Sequence, residues 1–140
     1  MLVPKKVKHR KWQVGRKGEA KNNRPDTRGI TLAFGSHGLK AETAARVTSN
    51  QIEAARKAMQ RHLTKVGKVW IRIFPDRPFT QKAAQVPMGK GKGDLEGYCF
   101  EVHPGRIIFE VDGVDEKVAR EALRKAGTKL PVKTRIIERV

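Results

Sequence analysis

The sequence predicts an α+β fold: an antiparallel or mixed sheet packed on two helices, with a basic N-terminal arm and a long Gly/Lys loop. Three observations support it. Strand-like segments follow one another with only two helical segments among them, residues 1–29 lack a periodic apolar pattern, and one segment alternates Gly with Lys. Few helices among consecutive strands are typical of α+β layers. The 140 residues fit one domain, which we assign to residues 30–140.

Residues 1–29 are predicted to form a basic arm. They hold ten Lys and Arg against Glu19 and Asp26, and their few bulky apolar residues follow no helical or strand period. Such a segment cannot bury enough apolar surface to form its own core. Trp12, among these cations, either stacks on a nucleic-acid base or packs on the domain. A disordered basic tail is the alternative.

The first predicted strand covers residues 29–35. Ile30, Leu32 and Phe34 alternate with smaller side chains there, and glycine stands at each end. This alternation is typical of a half-buried strand.

An amphipathic helix is predicted from Thr48 to Gly67. Thr48 is a suitable N-cap, Gln51 stands in capping-box spacing, and Gly67 suits the position after the last turn. The apolar residues at helical spacing are Ile52, Ala55, Met59, Leu63 and Val66. The opposite face places cations between alanines, which allows a phosphate backbone to approach closely. An ordinary solvated helix face is the equally weighted alternative.

A strand over residues 68–74 is followed by the longest predicted loop, residues 77–93. The loop has four cations, no acid, and the sequence MGKGKG at its end. It lacks the GxxxxGK[ST] pattern and the strand–loop–helix context of a nucleotide-binding P-loop. Alternating Gly and Lys instead predicts a thin cationic segment that contacts phosphate, and a flexible linker is the alternative.

Two strands are predicted on either side of Pro104 and Gly105. Residues 95–103 and 106–111 are rich in β-branched and aromatic side chains, and the Pro-Gly pair between them indicates a turn. We therefore expect a hairpin.

A second helix and a last strand complete the predicted fold. The helix begins near Asp115 and ends at Gly127, and residues 132–140 form the strand. Oppositely charged residues stand four apart on this helix, as the pairs Glu116/Arg120 and Glu121/Lys125. The pattern is that of an ordinary solvated helix.

The net charge of +17 is unevenly distributed. Residues 1–29 carry +8, residues 30–76 carry +5, residues 77–93 carry +4, and residues 94–140 are neutral. A charge of this size is best tolerated when a polyanion neutralises it. The gradient therefore indicates a neutral scaffold that presents three basic elements to nucleic acid.

Several other classes of protein are disfavoured. No run of about 18 apolar residues is present for a membrane helix, and the N-terminus lacks the apolar region of a secretory signal, so we expect a cytoplasmic protein. The four histidines have no metal-ligand spacing, and the one cysteine, Cys99, is expected in the core. We expect no catalytic residue, no metal site and no cofactor.

The chain resembles one family along nearly its whole length. The resemblance rests on residues 1–5 (MLVPK) with Lys8, Arg10, Lys11, Gly15 and Arg16, and on residues 34–41 (FGSHGLKA), 51–56 (QIEAAR), 70–76 (WIRIFPD), 88–93 (MGKGKG) and 129–134 (KLPVKT). Their order and spacing are similar to those of the bacterial-type large ribosomal subunit protein number sixteen, of the universal L-sixteen family.

This resemblance implies a structural ribosomal protein rather than an enzyme. It implies binding to large-subunit (23S) ribosomal RNA near the peptidyl transferase centre, beside tRNA in the aminoacyl site and close to the peptidyl site. Partners are then ribosomal RNA, tRNA and other large-subunit components, with no membrane. The family usually has Arg where this chain has Pro87, so no role of that Arg transfers. Residues 17–27 also form a longer stretch than usual.

Charge pattern and resemblance together give the predicted RNA-binding residues. They are Lys5, Lys6, Lys8, Arg10, Lys11, Trp12, Arg16, Arg56, Lys57, Arg61, Lys65, Arg72, Arg77, Lys82, Met88, Lys90 and Lys92. The competing hypotheses are a free-standing RNA-binding regulator, an RNA-processing enzyme that uses a surface carboxylate, and a protein that binds anionic membranes.

Overall fold

The computed structural model describes residues 1–13 and 23–140 and confirms the α+β class. Within these residues, strands predominate and two helices are set among them. In chain order the elements are β1 (His37–Ala41), β2 (Ala45–Thr48), α1 (Ser49–Leu63), β3 (Lys68–Ile71), β4 (Arg77–Gln81), β5 (Asp94–Val102), β6 (Ile107–Asp112), α2 (Glu116–Gly127) and β7 (Thr134–Glu138).

The strands form two antiparallel sheets where the sequence predicted one. The first sheet has the strand order β3-β6-β1-β7, and the second has the order β2-β5-β4. Helix α2 packs on β1, β6 and β7, whereas α1 contacts α2 and also β2, β3 and β5. Helix α1 therefore contacts strands of both sheets as well as helix α2.

The core lies between the helices and the sheets. Ile52, Ala55, Met59 and Leu63 of α1 are all buried, as the helical spacing predicts. Their buried neighbours on the other elements include Leu39, Val47, Val102, Phe109, Val111, Ala119, Ala122, Leu123 and Ala126. Burial of such aliphatic side chains contributes roughly 1.5–3 kcal/mol each, and it fixes the helices on the sheets.

Helix α1 begins where the sequence predicts and ends earlier. The capping box is confirmed: the Thr48 hydroxyl accepts from the backbone N–H of Gln51 at 3.3 Å, and the Gln51 side chain accepts from the N–H of Thr48 at 2.9 Å. The helix stops at Leu63 because Thr64 adopts a φ of 55°. Val66 is consequently 73% exposed, so its predicted place on the apolar face is wrong.

The predicted strand over residues 29–35 is wrong, and the first strand is β1 instead. The backbone N–H groups of Ala33, Phe34 and Gly35 donate to the side chain of Glu110 rather than to a neighbouring strand. Gly35 permits this path, because a Cβ there would lie only 2.6 Å from the carbonyl oxygen of Val111. A tertiary contact thus replaces the expected sheet ladder.

The predicted hairpin around Pro104 and Gly105 is also wrong. Strands β5 and β6 have the expected positions in the sequence, yet they lie in different sheets. Gly105 adopts a φ of 97°, and its N–H donates to the carbonyl oxygen of Ala41 at 2.7 Å. The Pro-Gly pair therefore forms the corner at which the chain passes from the second sheet to the first.

Two smaller predictions need correction. The loop predicted over residues 77–93 is shorter, because residues 77–81 form β4 and pair with β5. On α2 the Glu116/Arg120 pair is present at 2.9 Å. Glu121 instead pairs with Arg124, three residues along, at 2.7 Å, and not with Lys125.

Candidate nucleic-acid interface

The first residues of the arm lie against the start of α1. Met1 Sδ accepts a hydrogen bond from the Ser49 hydroxyl at 3.8 Å. Leu2 is half-buried and packs on the core. The arm is therefore attached to the domain at its first residues, although it has no core of its own.

Trp12 joins the arm to β4 and to the loop at residues 82–93. The Arg77 guanidinium lies 5.4 Å from the centre of the Trp12 ring, a cation–π distance. Arg77 also donates to the carbonyl oxygen of Gln13 at 3.4 Å, and Lys92 Nζ donates to that of Trp12. Of the two uses predicted for Trp12, packing on the domain is the one the structure describes.

The remaining predicted residues of the arm face solvent or lie outside the described residues. Lys5, Lys6, Lys8 and Arg10 are exposed, and Lys11 is half-buried. Arg16 lies in residues 14–22, outside the described residues. Four adjacent exposed cations give the arm a strongly positive outer side.

The Gly/Lys loop, residues 82–93, is rich in glycine and mostly exposed. Gly89, Lys90 and Gly91 all adopt positive φ, at 97°, 56° and 108°. Lys82 Nζ, at the start of the loop, donates to the carbonyl oxygen of Gly89, seven residues along. Lys90 is exposed and Met88 is 88% exposed. The glycines permit a compact turn that presents one lysine and one apolar side chain outward.

The arm and the Gly/Lys loop meet at Trp12. We define the arm–loop surface by the exposed cations of these two elements: Lys5, Lys6, Lys8, Arg10 and Lys90. Arg77 and Lys92 lie within the junction itself, and Arg77 also pairs with Glu101 at 3.5 Å. Both therefore position the arm and the loop relative to one another.

The outer face of α1 carries free cations beside one that is paired. Lys57, Arg61 and Lys65 are exposed. Arg56 donates to Glu53 and, at 2.8 Å, to Gln60. The Arg56 hydrogen bond lowers the pKa of Glu53, although desolvation opposes this shift. Arg56 is thus engaged within the helix, whereas Lys57, Arg61 and Lys65 form no ion pair with any of the described residues.

Arg72, predicted to bind RNA, makes its contacts within the fold. Its guanidinium lies 2.7 Å from Glu110 Oε2, and the Glu110 side chain is fully buried. Arg72 also lies 5.4 Å from the centre of the Phe34 ring, which stacks on Trp70 at 5.9 Å. We therefore assign Arg72 to the fold rather than to the interface.

Sequence reasoning missed three cations at the end of α2. Arg124, Lys125 and Lys129 are exposed and line grooves together with Ala58 and Arg61 of α1. The net charge of residues 94–140 is zero, which concealed them. A helical projection could have found Arg124 and Lys125, since they lie away from the apolar side of α2.

Other kinds of site have weaker support in the described residues. His37, Glu116 and Glu138 bring potential metal-ligand atoms within 4.8 Å of one another. However, Arg120 lies 2.9 Å from Glu116 and 3.8 Å from Glu138, so both carboxylates already pair with a cation. Cys99 is buried, as expected of a core residue. In the same residues, every helix is too short or too polar to span a bilayer.

Comparison with known proteins agrees with the resemblance seen in the sequence. Residues 4–137 match the family described as ribosomal protein L16p/L10e. The large ribosomal subunit protein uL16 of Halorhodospira halophila (strain DSM 244 / SL1) is 51% identical over 140 residues, which cover 99% of this chain and 98% of that protein. The chain therefore belongs to the ribosomal protein L16p/L10e family, whose members are structural proteins of the large ribosomal subunit and not enzymes.

Proposed function

We propose that the chain binds large-subunit (23S) ribosomal RNA through its arm–loop surface and the outer face of α1, near the peptidyl transferase centre and beside aminoacyl-site tRNA. Membership of the family makes it a structural constituent of the large subunit in the cytoplasm. Through these contacts with ribosomal RNA and tRNA, the chain supports subunit assembly and translation.

The observation that carries this proposal is the junction at Trp12. Contacts from Arg77 and Lys92 bring a basic arm and a basic loop together, although they are about 80 residues apart in the chain. Exposed lysine and arginine side chains bind phosphates electrostatically, without regard to base sequence. A fixed arrangement of such cations recognises the shape of folded RNA as well as its charge.

The tRNA part of the proposal rests on the tip of the Gly/Lys loop. Lys90 and Met88 are exposed there, while Lys82 and Lys92 are hydrogen-bonded to backbone within the loop and the arm. A projecting tip held at its base suits contact with a ligand that binds and leaves. The arm, by contrast, suits a permanent contact with ribosomal RNA.

We expect the chain to remain on the large subunit through a high-salt wash. Sucrose-gradient sedimentation of cell extract, followed by immunodetection of the chain, measures this. Release of the chain into the soluble fraction while the subunit stays intact would support a free-standing regulator instead. Flotation with anionic liposomes serves as the control for membrane binding, and we expect the chain not to float.

The double substitution Lys90→Ala with Lys92→Ala is expected to leave the fold intact and to impair subunit maturation or tRNA accommodation. Both side chains lie outside the core, so the unfolding transition should change little. Gradient profiles and the rate of tRNA accommodation on purified ribosomes measure the effect.

The matched control is Lys117→Ala with Lys133→Ala, which removes the same charge from exposed positions elsewhere. If both double variants assemble and accommodate tRNA like the wild type, the loop is only a linker. The single variant Lys90→Ala separates the tip from the junction, because Lys92 also holds Trp12.

A further inference from the structure

We infer that the groove between α1 and α2 is a second binding site for an RNA phosphate backbone, separate from the arm–loop surface. This inference rests on the proposed function, because it names a further contact with the same class of ligand. We define the helix groove by its cationic residues Lys57, Arg61, Arg124, Lys125 and Lys129, together with His62.

Cations of both helices face one another across the groove. Arg61 and His62 of α1, Arg124 and Lys125 of α2, and Lys129, which follows α2, all line it. Ala58 also lines it, and the cavity has a volume of about 410 Å³. The small alanine side chain leaves room for a backbone, and the cations around it meet the phosphates together.

Most of these cations have no partner within the domain. In residues 1–13 and 23–140, no carboxylate lies within ion-pair distance of Lys57, Arg61, Lys125 or Lys129. Arg124 pairs with Glu121 at 2.7 Å. Its hydrogen bond lowers the pKa of Glu121, and the charges of Lys125 and His62 act in the same direction. The groove is therefore positive, although Glu121 and Glu53 lie near its cations.

RNA fits the groove better than a protein segment does. Protein interfaces depend on buried aromatic and aliphatic residues at their centre. Among the described residues, none of the large exposed apolar side chains lines the helix groove. A surface of Arg and Lys around the small side chain of Ala58 instead matches a phosphate backbone, to which arginine binds in a bidentate manner.

The helix groove lies apart from the place where the arm meets α1. Met1 contacts Ser49 at the first turn of α1, and Arg61 lies twelve residues further along, about 18 Å at the helical rise. RNA held in the groove is thus a separate contact from RNA held by the first residues of the arm. Two such sites on one rigid domain would fix two RNA segments relative to each other.

The test compares two triple variants of the full chain that lose the same charge. The groove variant carries Arg124→Ala, Lys125→Ala and Lys129→Ala. The control carries Lys117→Ala, Lys133→Ala and Arg135→Ala, three exposed cations outside the groove. Filter binding to deproteinised large-subunit RNA, between about 50 and 200 mM salt, gives the affinity and its salt dependence. Thermal unfolding confirms that both variants are folded.

We expect the groove variant to lose about tenfold or more in affinity and to lower the salt slope by about 2–3, with a smaller loss in the control. Equal losses in both variants would mean that only bulk charge matters and would overturn the inference, as would wild-type binding by the groove variant. Wild-type RNA affinity with lost binding to a polyglutamate peptide would assign the groove to an acidic protein. Salt-independent RNA binding by the wild-type chain would instead contradict the proposed function.

Discussion

Replacement of Glu110 by alanine is expected to destabilise the domain by about 3–5 kcal/mol, the cost of breaking a buried ion pair. Glu110 is fully buried on β6 and accepts from Arg72 at 2.7 Å and from the N–H of Ala33 at 2.8 Å. The N–H groups of Phe34 and Gly35 donate to Glu110 Oε1, the oxygen that Ala33 also contacts, at 3.1 and 3.4 Å. Its loss leaves these backbone donors without their acceptor and frees residues 33–35 from the sheet.

Chemical denaturation monitored by circular dichroism measures this loss. The matched control is Glu116→Ala, which removes a carboxylate from an exposed pair with Arg120 and should cost under about 1 kcal/mol. A double-mutant cycle with Arg72→Met and Glu110→Met should give a coupling free energy of about 1–3 kcal/mol. Equal effects of Glu110→Ala and Glu116→Ala would contradict the structural role.

The same carboxylate predicts how stability depends on pH. Desolvation by burial raises the pKa of Glu110, but the Arg72 hydrogen bond and the three backbone N–H groups outweigh it, so the folded-state pKa lies below its ordinary value. The stability contributed by Glu110 is therefore present above the pKa of the unfolded chain and is lost as pH falls through the lowered value. A Glu110→Gln variant that folds should lose part of this acid sensitivity.

Local signals predicted the helices better than the strands. The cap at Thr48 and the apolar spacing of α1 depend on residues within a few turns of one another, and both are confirmed except at Val66. The path of residues 29–35 depends on Glu110, about 75 residues away. No local pattern contains such a contact, so alternating side chains were mistaken for a strand.

The division into two sheets was likewise beyond the local pattern. Strands β5 and β6 show all the signs of a hairpin, but β6 pairs with β1 and β3 while β5 pairs with β2 and β4. Pairing depends on which faces the helices cover, and that is a property of the whole fold. A Pro-Gly turn signal indicates where a chain bends and not which strand it meets next.

The candidate interface was predictable in its charge and less so in its details. Segment charges identified the arm, the outer face of α1 and the loop. Charge alone could not separate Arg72, which stabilises the buried Glu110, from an exposed cation such as Arg61. It also missed the helix groove. The net charge of residues 94–140 is zero, although Arg124, Lys125 and Lys129 lie together at the groove.

RNA binding by the whole chain is expected to fall by about 10³–10⁵ in affinity between 50 and 200 mM salt, the range for 6–10 neutralised phosphates. Within residues 1–13 and 23–140, the exposed cations of the arm–loop surface and α1 that form no ion pair are Lys5, Lys6, Lys8, Arg10, Lys90, Lys57, Arg61 and Lys65. These eight cations, if each meets one phosphate, lie within that range. Filter binding to deproteinised large-subunit RNA at several salt concentrations measures the slope.

The triple variant Lys5→Ala, Lys6→Ala and Lys8→Ala assigns part of this slope to the arm. Each lost phosphate contact lowers the slope by about 0.7–0.9, so the variant should lower it by about 2–3. Because these side chains are exposed, the unfolding transition should not move, which separates a binding defect from a folding defect. A flat salt response in the wild type would exclude electrostatic binding, whereas an unchanged slope in this variant would show that the arm stays on the domain and away from RNA.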